Sequence, residues 1–502
     1  MTKRKRNFIF PYFVALACAL IMAGCAVGPD FQAPAAPVVK GYTPEPIPPE
    51  TVSAPGAGGA TQRFIDGLDI PGQWWTLFHS EPLDSLIRKA LRNSPTIAAA
   101  QARLREAEEN LRARQGTVYF PSVDGSFSAT RQQTTGASFG QPALGETTFN
   151  LYNASVSLSY ALDIFGGNRR ELEALLAQVN YQQFRLEASF LALTSNIVTA
   201  AVSEASLRAR IKATDDIVAM LRKQLDLVSL KYEFGGASRP DVLEQRTLLD
   251  QTLATLPPLE KELAKIRHQL AVYTGSFAGE GGIPDFQLES MDLPVDVPVS
   301  VPASLVRQRP DIRASEELLH AACAQVGVAT ANLYPKLNLS GSIGTSATKI
   351  EDLFSSGSTI FSLGAGLLQP LFHGGELTAK RRAAIAVYDQ ALAQYRETVL
   401  VSFREVADTL RALELDAQAL RAQADAEASA RETLGFVESQ FRIGAVNYLS
   451  LLVAQRQYSV ARINLVQAQA TRYADTAALF QALGGGWWNR DRADADTAEL
   501  KR

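Results

Sequence analysis

The chain alternates apolar side chains with small or polar ones along Tyr152-Asn153-Ala154-Ser155-Val156-Ser157-Leu158-Ser159-Tyr160-Ala161-Leu162-Asp163-Ile164. This period of two predicts a β-strand with one apolar face and one polar face. Phe165-Gly166-Gly167 ends the alternation, and neither Pro nor Gly occurs from Asn168 to Tyr232. A helix over that whole segment would be about 100 Å long at about 1.5 Å per residue, whereas the usual helix has about 11–12 residues. The stretch therefore predicts a strand joined directly to an exceptionally long helix.

The order of motifs around this stretch occurs a second time. Phe372-His373-Gly374-Gly375 precedes another long helical pattern, Glu376–Phe441, which is interrupted only by Gly435. A repeat of this length indicates a duplicated half-molecule rather than a solenoid. We therefore predict two similar halves, at about 88–275 and 303–484, placed around a pseudo-symmetry axis.

The N-terminus has the pattern of a bacterial export signal. Basic residues at Lys3–Arg6 precede an apolar segment, Phe8–Ala23, which is shorter than the roughly 20 residues that a membrane span needs. The small residues before Cys25 resemble a lipobox, so we predict a signal peptide at 1–24 and an acylated Cys25. An ordinary signal peptide with an incidental cysteine is the alternative. Pro, Ala and Gly dominate 25–72, which predicts an extended tether without a core of its own.

Each half is predicted to carry one β-hairpin, at about 118–165 and about 336–372. In the second hairpin the same alternation places apolar residues at Leu337, Leu339, Ile343, Phe361, Leu363 and Leu367. Two arrangements compete: a soluble sheet packed on a helix, and part of a membrane β-barrel with an apolar exterior and a polar lumen. Strands of ten or more residues, polar faces of Ser, Gly and Asn, and the export signal favour the barrel.

Four strands cannot close a barrel, so the predicted barrel requires several copies of the chain. An open sheet edge is not tolerated in lipid. Two copies would give eight strands with an interior filled by side chains, and three copies would give twelve, which leaves room for an aqueous channel. Pore formation therefore favours a homotrimer.

Composition excludes several other function classes. The formal net charge of −3 gives no indication of nucleic-acid binding. The four His have no ligand spacing, and Cys323 is predicted to pack in the core, so neither a metal site nor a disulfide framework is expected. Gly484-Gly485-Gly486 lacks the flanking strand and helix of a phosphate loop, and Glu316-Glu317 and Asp215-Asp216 are predicted to lie on solvated helix faces. We expect no enzymatic activity, no cofactor beyond the lipid on Cys25, and no membrane-spanning helix after the signal peptide.

Several motifs, specific in combination, extend the interpretation to a known family. They are Ala26-Val27-Gly28-Pro29-Asp30-Phe31, Trp74-Trp75-Thr76-Leu77-Phe78, Leu158-Ser159-Tyr160-Ala161-Leu162-Asp163-Ile164-Phe165-Gly166, Arg307-Gln308-Arg309-Pro310-Asp311-Ile312 and Tyr448-Leu449-Ser450-Leu451-Leu452-Val453-Ala454-Gln455-Arg456. Together they resemble the lipoprotein (NodT-like) branch of the TolC superfamily, the outer-membrane factors of tripartite efflux systems. The resemblance covers Cys25 to about Trp488.

The resemblance implies an α+β membrane protein that works as a homotrimer. Four strands per protomer would form a trans-subunit 12-stranded β-barrel in the bacterial outer membrane, and the long helices would form an α-helical barrel that extends into the periplasm. A periplasmic adaptor (membrane fusion) protein and an inner-membrane efflux transporter would complete the path for amphipathic small molecules such as antibiotics. The alternative function is a non-transporting coiled-coil envelope lipoprotein, a scaffold or adhesin, which would not need two hairpins with wettable faces.

By the same resemblance, the turns after the long helices form periplasmic tips that close the channel and contact the adaptor. The residues it assigns there are Gly235, Gly236, Arg239, Asp241, Gly444 and Asn447. Asp241 matches a position whose carboxylate faces the constriction, although an acid that caps its own helix after Pro240 is an equal alternative. Ser450 and Val453 stand where the best-known member has aspartates, so an acidic ring and cation selectivity stay open.

The predicted layout of the chain follows from these patterns. After the signal peptide and tether come a first repeat at 73–284, with long helices at about 168–273, and a second repeat at 285–486, with long helices at about 376–483. Pro257-Pro258 should break or kink the shorter helix of the first repeat. The last segment, 487–502, is predicted to be a flexible tail.

Overall fold

The structure is a computed structural model that describes residues 26–39, 41–140, 143 and 145–490. The predicted signal peptide, Cys25 and residues 491–502 lie outside the described residues. The chain divides into two compact units. One comprises the residues up to Pro34, Arg103–Gln182 and Ser315–Tyr395, and the other comprises Ala35–Ala102, Gln183–Ala314 and the residues from Arg396 onward. Each unit draws on both repeats, so the repeat boundary near 284 does not separate compact units.

Nine α-helices occur among the described residues. In chain order they are α1 (Glu81–Asn93), α2 (Pro95–Tyr119), α3 (Gly167–Glu233), α4 (Arg239–Leu253), α5 (Leu256–Tyr273), α6 (Pro302–Gln308), α7 (Pro310–Ala331), α8 (Glu376–Arg442) and α9 (Tyr448–Ala482). Helices α3 and α8 have 67 residues each, or about 100 Å at about 1.5 Å per residue. Both long helices are thereby confirmed. The break between α4 and α5 directly precedes Pro257-Pro258, as predicted.

Helix α3 corrects the expectation that no later helix could cross a membrane. By length and composition it is apolar enough to do so, and it is the one such helix in the part of the chain that the structure describes. However, 44% of its apolar window is buried inside the protein. Small side chains of α3 such as Ala177 and Ala201 are completely buried. Helix packing therefore accounts for part of the apolar character of α3.

The described residues contain six strands, arranged in two sheets. The strands are β1 (Arg63–Asp66), β2 (Ser122–Thr135), β3 (Glu146–Leu162), β4 (Asp296–Val299), β5 (Lys336–Ala347) and β6 (Thr359–Leu368). Strands β2, β3, β5 and β6 form an antiparallel sheet in that order, so both predicted hairpins exist and lie side by side. Strands β1 and β4 form a short parallel pair that was not predicted.

The register of the four-stranded sheet gives it one apolar face and one polar face. Directly opposed residues on neighbouring strands share a face. Val156 lies opposite Ile343, which lies opposite Phe361. One residue further along β3, on the other face, Ser157 lies opposite Ser342. The alternation in the sequence is therefore carried across the sheet without a slip.

A large core holds the second unit together. Trp74, Phe78 and Phe480 are almost completely buried, and the rings of Trp74 and Phe480 stack with their centroids 5.4 Å apart. Burying a side chain such as Phe stabilises a fold by about 1.5–3 kcal/mol. The Trp74-Trp75 motif is thus a core motif that joins the start of the first repeat to the end of the second.

The predicted tether is extended but is bound along the protein. In the first unit, Asp30 forms an ion pair with the buried Arg170, and the ring of Phe31 stacks on His320 at a centroid distance of 4.3 Å. In the second unit, Gln62 is fully buried. The composition predicts a segment without a core of its own. It does not predict that the segment packs on helices far away in the sequence.

The first residues of the predicted loose tail, 487–490, are bound to the second unit. Trp487 Nε1 donates a hydrogen bond to the carbonyl oxygen of Gln308 at 2.6 Å, and Asn489 Nδ2 donates one to Asp69 Oδ2 at 2.7 Å. The three glycines at 484–486 all have positive φ, which lets the chain turn back after α9. Residues 487–490 are therefore part of the second unit, which corrects the predicted tail boundary.

Candidate functional site

The first tip, Phe234–Ser238, joins α3 to α4. Gly235 has φ +77°, a left-handed conformation that favours glycine. Its N–H donates to the carbonyl oxygen of Tyr232, and the N–H of Gly236 donates to that of Lys231. These two bonds satisfy the last carbonyls of α3 in a Schellman motif. Gly235 thus ends the long helix at a defined residue.

The second tip, Ile443–Asn447, repeats this arrangement between α8 and α9. Gly444 has φ +80°. Its N–H donates to the carbonyl oxygen of Phe441, and the N–H of Ala445 donates to that of Gln440. Since the spacing of both bonds matches the first tip, the internal duplication extends to the hydrogen bonds of the turns.

Each tip ends with a side chain that caps the next helix. Ser238 and Asp241 form a capping box, in which the Ser238 N–H donates to Asp241 Oδ2 at 2.8 Å and the Asp241 N–H donates to Ser238 Oγ at 3.3 Å. Asn447 Oδ1 accepts from the Ser450 N–H at 3.0 Å. The carboxylate of Asp241 therefore serves its own helix, as the capping alternative predicts, while Arg239 is exposed at the same turn.

Asp241→Ala should loosen the start of α4 and should change the conductance of the predicted channel little. Losing a capping box costs about 1 kcal/mol, so hydrogen exchange of residues 239–247 should become several times faster. Asp250→Ala, which removes an exposed carboxylate further along α4, is the matched control. A large rise in conductance with unchanged exchange would instead place the Asp241 carboxylate in the closed constriction.

Next to the tips, two contacts link the helix pair α3 and α4 of the first repeat to the helix pair α8 and α9 of the second. Lys231 Nζ donates to the carbonyl oxygen of Phe441 at 3.1 Å and lies 4.0 Å from the centre of its ring, a cation–π geometry. Tyr448 Oη donates to Gln245 Oε1 at 2.5 Å, and Gln245 Nε2 donates to the carbonyl oxygen of Leu221 at 3.3 Å. We call these contacts the tip link, formed by Lys231, Gln245, Phe441 and Tyr448.

Half of the tip link is buried although it lies beside exposed turns. Gln245 is completely buried and Tyr448 nearly so. Burial raises the pKa of Tyr448, and the negative charges of Glu244 and Asp241 add to the rise. The phenol of Tyr448 therefore stays protonated and keeps its hydrogen bond to Gln245. Sequence reasoning missed the link because Gln245 and Tyr448 are 203 residues apart, although Tyr448 begins one of the motifs that indicate the family.

The second feature of functional interest is the four-stranded sheet, whose apolar face is uncovered. Phe361 is 81% exposed and Leu363 is 90% exposed. On the polar face, serines pair across strands: Ser126 with Ser155 at 2.9 Å between the Oγ atoms, and Ser342 with Ser362 at 2.8 Å. An exposed apolar face of this extent marks a surface for lipid or another protein.

The edges of this sheet, β2 and β6, are open. Each has one neighbouring strand within the described ranges, so half of its backbone N–H and C=O groups have no ladder partner. Such an edge is a template for pairing with another chain. In lipid an unpaired edge is excluded, because each unsatisfied group costs several kcal/mol there. The sheet is therefore suited to closure by further copies.

Known proteins share both the halves and the fold of this chain. The family model described as outer membrane efflux protein matches residues 86–276 and 301–485, close to the two predicted halves. Pyoverdine export outer membrane protein OpmQ of Pseudomonas putida is 30% identical and aligns over 90% of this chain and 95% of its own. Antibiotic efflux pump outer membrane protein ArpC of Pseudomonas putida is 28% identical and aligns over 94% of this chain and 95% of its own. The solved outer-membrane channel OprN superposes with a TM-score of 0.82 at 27% identity, over 92% of this chain and 100% of its own.

These matches confirm the family and the TolC-like fold that the motifs indicate. They extend over most of the chain, and the family model alone covers more than half of it. The relatives are outer-membrane components of efflux pumps rather than enzymes. The chain therefore belongs to the outer membrane efflux protein family and is the outer-membrane exit duct of an efflux pump.

Proposed function

We propose that three copies of the chain close one twelve-stranded barrel in the outer membrane. The open edges of the sheet support this proposal, because β2 of one copy can pair with β6 of the next around a ring. The apolar face would then meet lipid and the serine-rich face would line water. Twelve strands leave an aqueous lumen, which eight do not.

The two tips would close the periplasmic end of this duct. We propose that a periplasmic adaptor binds the tips more strongly when they are apart, since a ligand shifts a population only through a difference in affinity. An inner-membrane transporter would deliver the solute. Gly235, Gly236, Arg239, Asp241, Gly444 and Asn447 are the tip residues available for this contact, and the tip link would hold the closed state.

The cargo would be amphipathic small molecules chosen mainly upstream of the duct. The names of OpmQ and ArpC refer to pyoverdine and to antibiotics, two different kinds of solute, although both proteins are similar to this chain over nearly its whole length. A passive lumen lined by small hydroxyl groups offers few specific contacts. Transport would therefore run from the pump and periplasm to the exterior without a binding site for one compound.

Cys25→Ser should abolish labelling of the protein with radioactive palmitate. The proposal of an acyl anchor on Cys25 rests on the small residues before it and on Ala26 after it. Cys323→Ser is the matched control, since that thiol is buried in α7. Labelling that persists in Cys25→Ser would show that the anchor is elsewhere or absent.

Native mass spectrometry in mild detergent tests the proposed assembly. The mature protein should give a complex of three copies. Dimers or tetramers as the largest stable species would contradict the twelve-stranded barrel. A monomer whose sheet edges stay open would contradict closure by strand pairing altogether.

A further inference from the structure

Arg472 on α9 is a buried cation whose close partners are neutral. Its side chain is completely buried. Nη2 donates to Gln62 Oε1 at 2.8 Å, to Thr51 Oγ1 at 3.2 Å and to the carbonyl oxygen of Ala60 at 3.2 Å. Nε and Nη1 are buried and lack a hydrogen-bond partner among the described residues. An isolated charge in such a place is costly unless a negative charge lies near it.

Two carboxyl groups lie near this cation, and the charge of one of them, Asp416, acts on Arg472. Asp475 lies three residues after Arg472, on the same face of α9, and Asp416 of α8 lies within hydrogen-bonding reach of it. Asp416 Oδ2 is buried without a donor from any side chain or backbone group that the structure describes. Two ionised carboxylates are acceptors only and repel each other, whereas a proton between them supplies the missing hydrogen bond.

The balance of charges also favours one proton held between the two carboxyl groups. One buried guanidinium and two ionised carboxylates leave one excess negative charge, while one retained proton makes the group neutral. The strap that we define as Thr51–Gln62 faces Arg472 with neutral groups and supplies no further charge. Tyr473, the next residue on α9, donates to the carbonyl oxygen of Met291 and also accepts from the strap N–H of Gly58.

We propose that Asp416 and Asp475 share one proton and that this pair, through Arg472, is a pH-responsive clamp that holds the strap on α9. Loss of the shared proton places a second negative charge beside the first. The pair then separates and draws Arg472 away from Gln62, Thr51 and Ala60. The strap is thereby released from α9 in neutral to alkaline medium and held in mildly acidic medium.

The titration of Asp416 falls in a physiological range. Burial, with the neighbouring Asp475, raises the pKa of Asp416 to about 7, although the charge of Arg472 opposes the rise. Burial also lowers the pKa of Arg472 to about 10, so the guanidinium stays charged throughout. A carboxyl group whose pKa is raised in the folded state stabilises that state fully below its ordinary pKa of 3.8. This contribution declines as the pH rises and is lost once the pH passes about 7.

Hydrogen–deuterium exchange of the strap tests the clamp on the full mature protein in detergent. After correction for the intrinsic pH dependence of exchange, the strap amides should exchange several times faster at pH 8 than at pH 6. Asp416→Asn mimics the protonated acid, so its exchange should be the same at both pH values. Asp425→Asn removes an exposed carboxylate of the same helix and should keep the wild-type difference.

Further variants separate the clamp from a general loss of stability. Asp475→Asn leaves one carboxylate for Arg472 and should also abolish the pH difference, with the strap held. The double variant Asp416→Asn with Asp475→Asn leaves Arg472 uncompensated, so the strap should exchange fast at both pH values. The proposal is overturned if wild-type exchange is equal at pH 6 and pH 8, or if both single variants retain the wild-type difference.

Discussion

Val156→Arg is expected to prevent assembly of the protein in the outer membrane. The side chain lies on the apolar face of the four-stranded sheet, opposite Ile343 of the neighbouring strand. An arginine on the lipid face of a barrel costs about 2–4 kcal/mol near the bilayer midplane, and a trimer would pay this cost three times. We therefore expect little or no trimer in outer-membrane fractions, measured by gel mobility without heating.

Ser157→Arg is the matched control for this experiment. It introduces the same charge one residue further along β3, on the face where Ser157 lies opposite Ser342. That face meets water in the proposed barrel, so trimers should form in normal amounts. Equal loss of trimer in both variants, or equal tolerance, would contradict the assignment of the two faces.

Lys231→Met combined with Tyr448→Phe is expected to open the periplasmic end of the duct. The first change removes the ammonium group from Phe441, and the second removes the hydrogen bond to Gln245. Each hydrogen bond contributes about 0.5–1.5 kcal/mol, and three protomers lose both contacts. The closed state should therefore lose several kcal/mol in total, and the conductance of single trimers should rise severalfold.

Tyr232→Phe is the control for the tip variant. Tyr232 lies one residue after Lys231 on α3, but its side chain is exposed and is outside the tip link. Its replacement should leave conductance at the wild-type level. If Tyr232→Phe raises conductance as much as the variant with Lys231→Met and Tyr448→Phe, the tips are loosened by general destabilisation. The tip link then has no special role in closure.

The long helices and the hairpins could be predicted from the sequence because each depends on a local pattern. The Pro-free and Gly-free run after Gly167 specifies α3, and the strict alternation around Val156 specifies both a strand and its two faces. The positions of Gly235 and Gly444 likewise mark helix ends, since both residues have a positive φ that favours glycine. Because the chain is duplicated, each of these patterns occurs in both halves and supports the same inference twice.

The missed features depend on contacts between distant parts of the chain. Arg472 has the spacing of an ordinary helix residue, yet it is buried beneath a segment more than 400 residues earlier. Gln245 and Tyr448 meet only because the two repeats pack together. Trp487 is held by Gln308, although composition predicts a flexible tail from residue 487 onward. No local sequence pattern predicts these contacts between distant residues. For the tether, composition predicts the lack of a core but not the residues on which the tether packs.

Single-channel recording in planar lipid bilayers tests the central claim, that trimers of this chain form a duct closed at its tips. Purified wild-type trimers should give small, discrete conductance steps, and the variant with Lys231→Met and Tyr448→Phe should give steps several times larger. Native mass spectrometry of the same samples confirms that three copies are present. Trimers of both proteins that insert into the bilayer but carry no current would contradict the account.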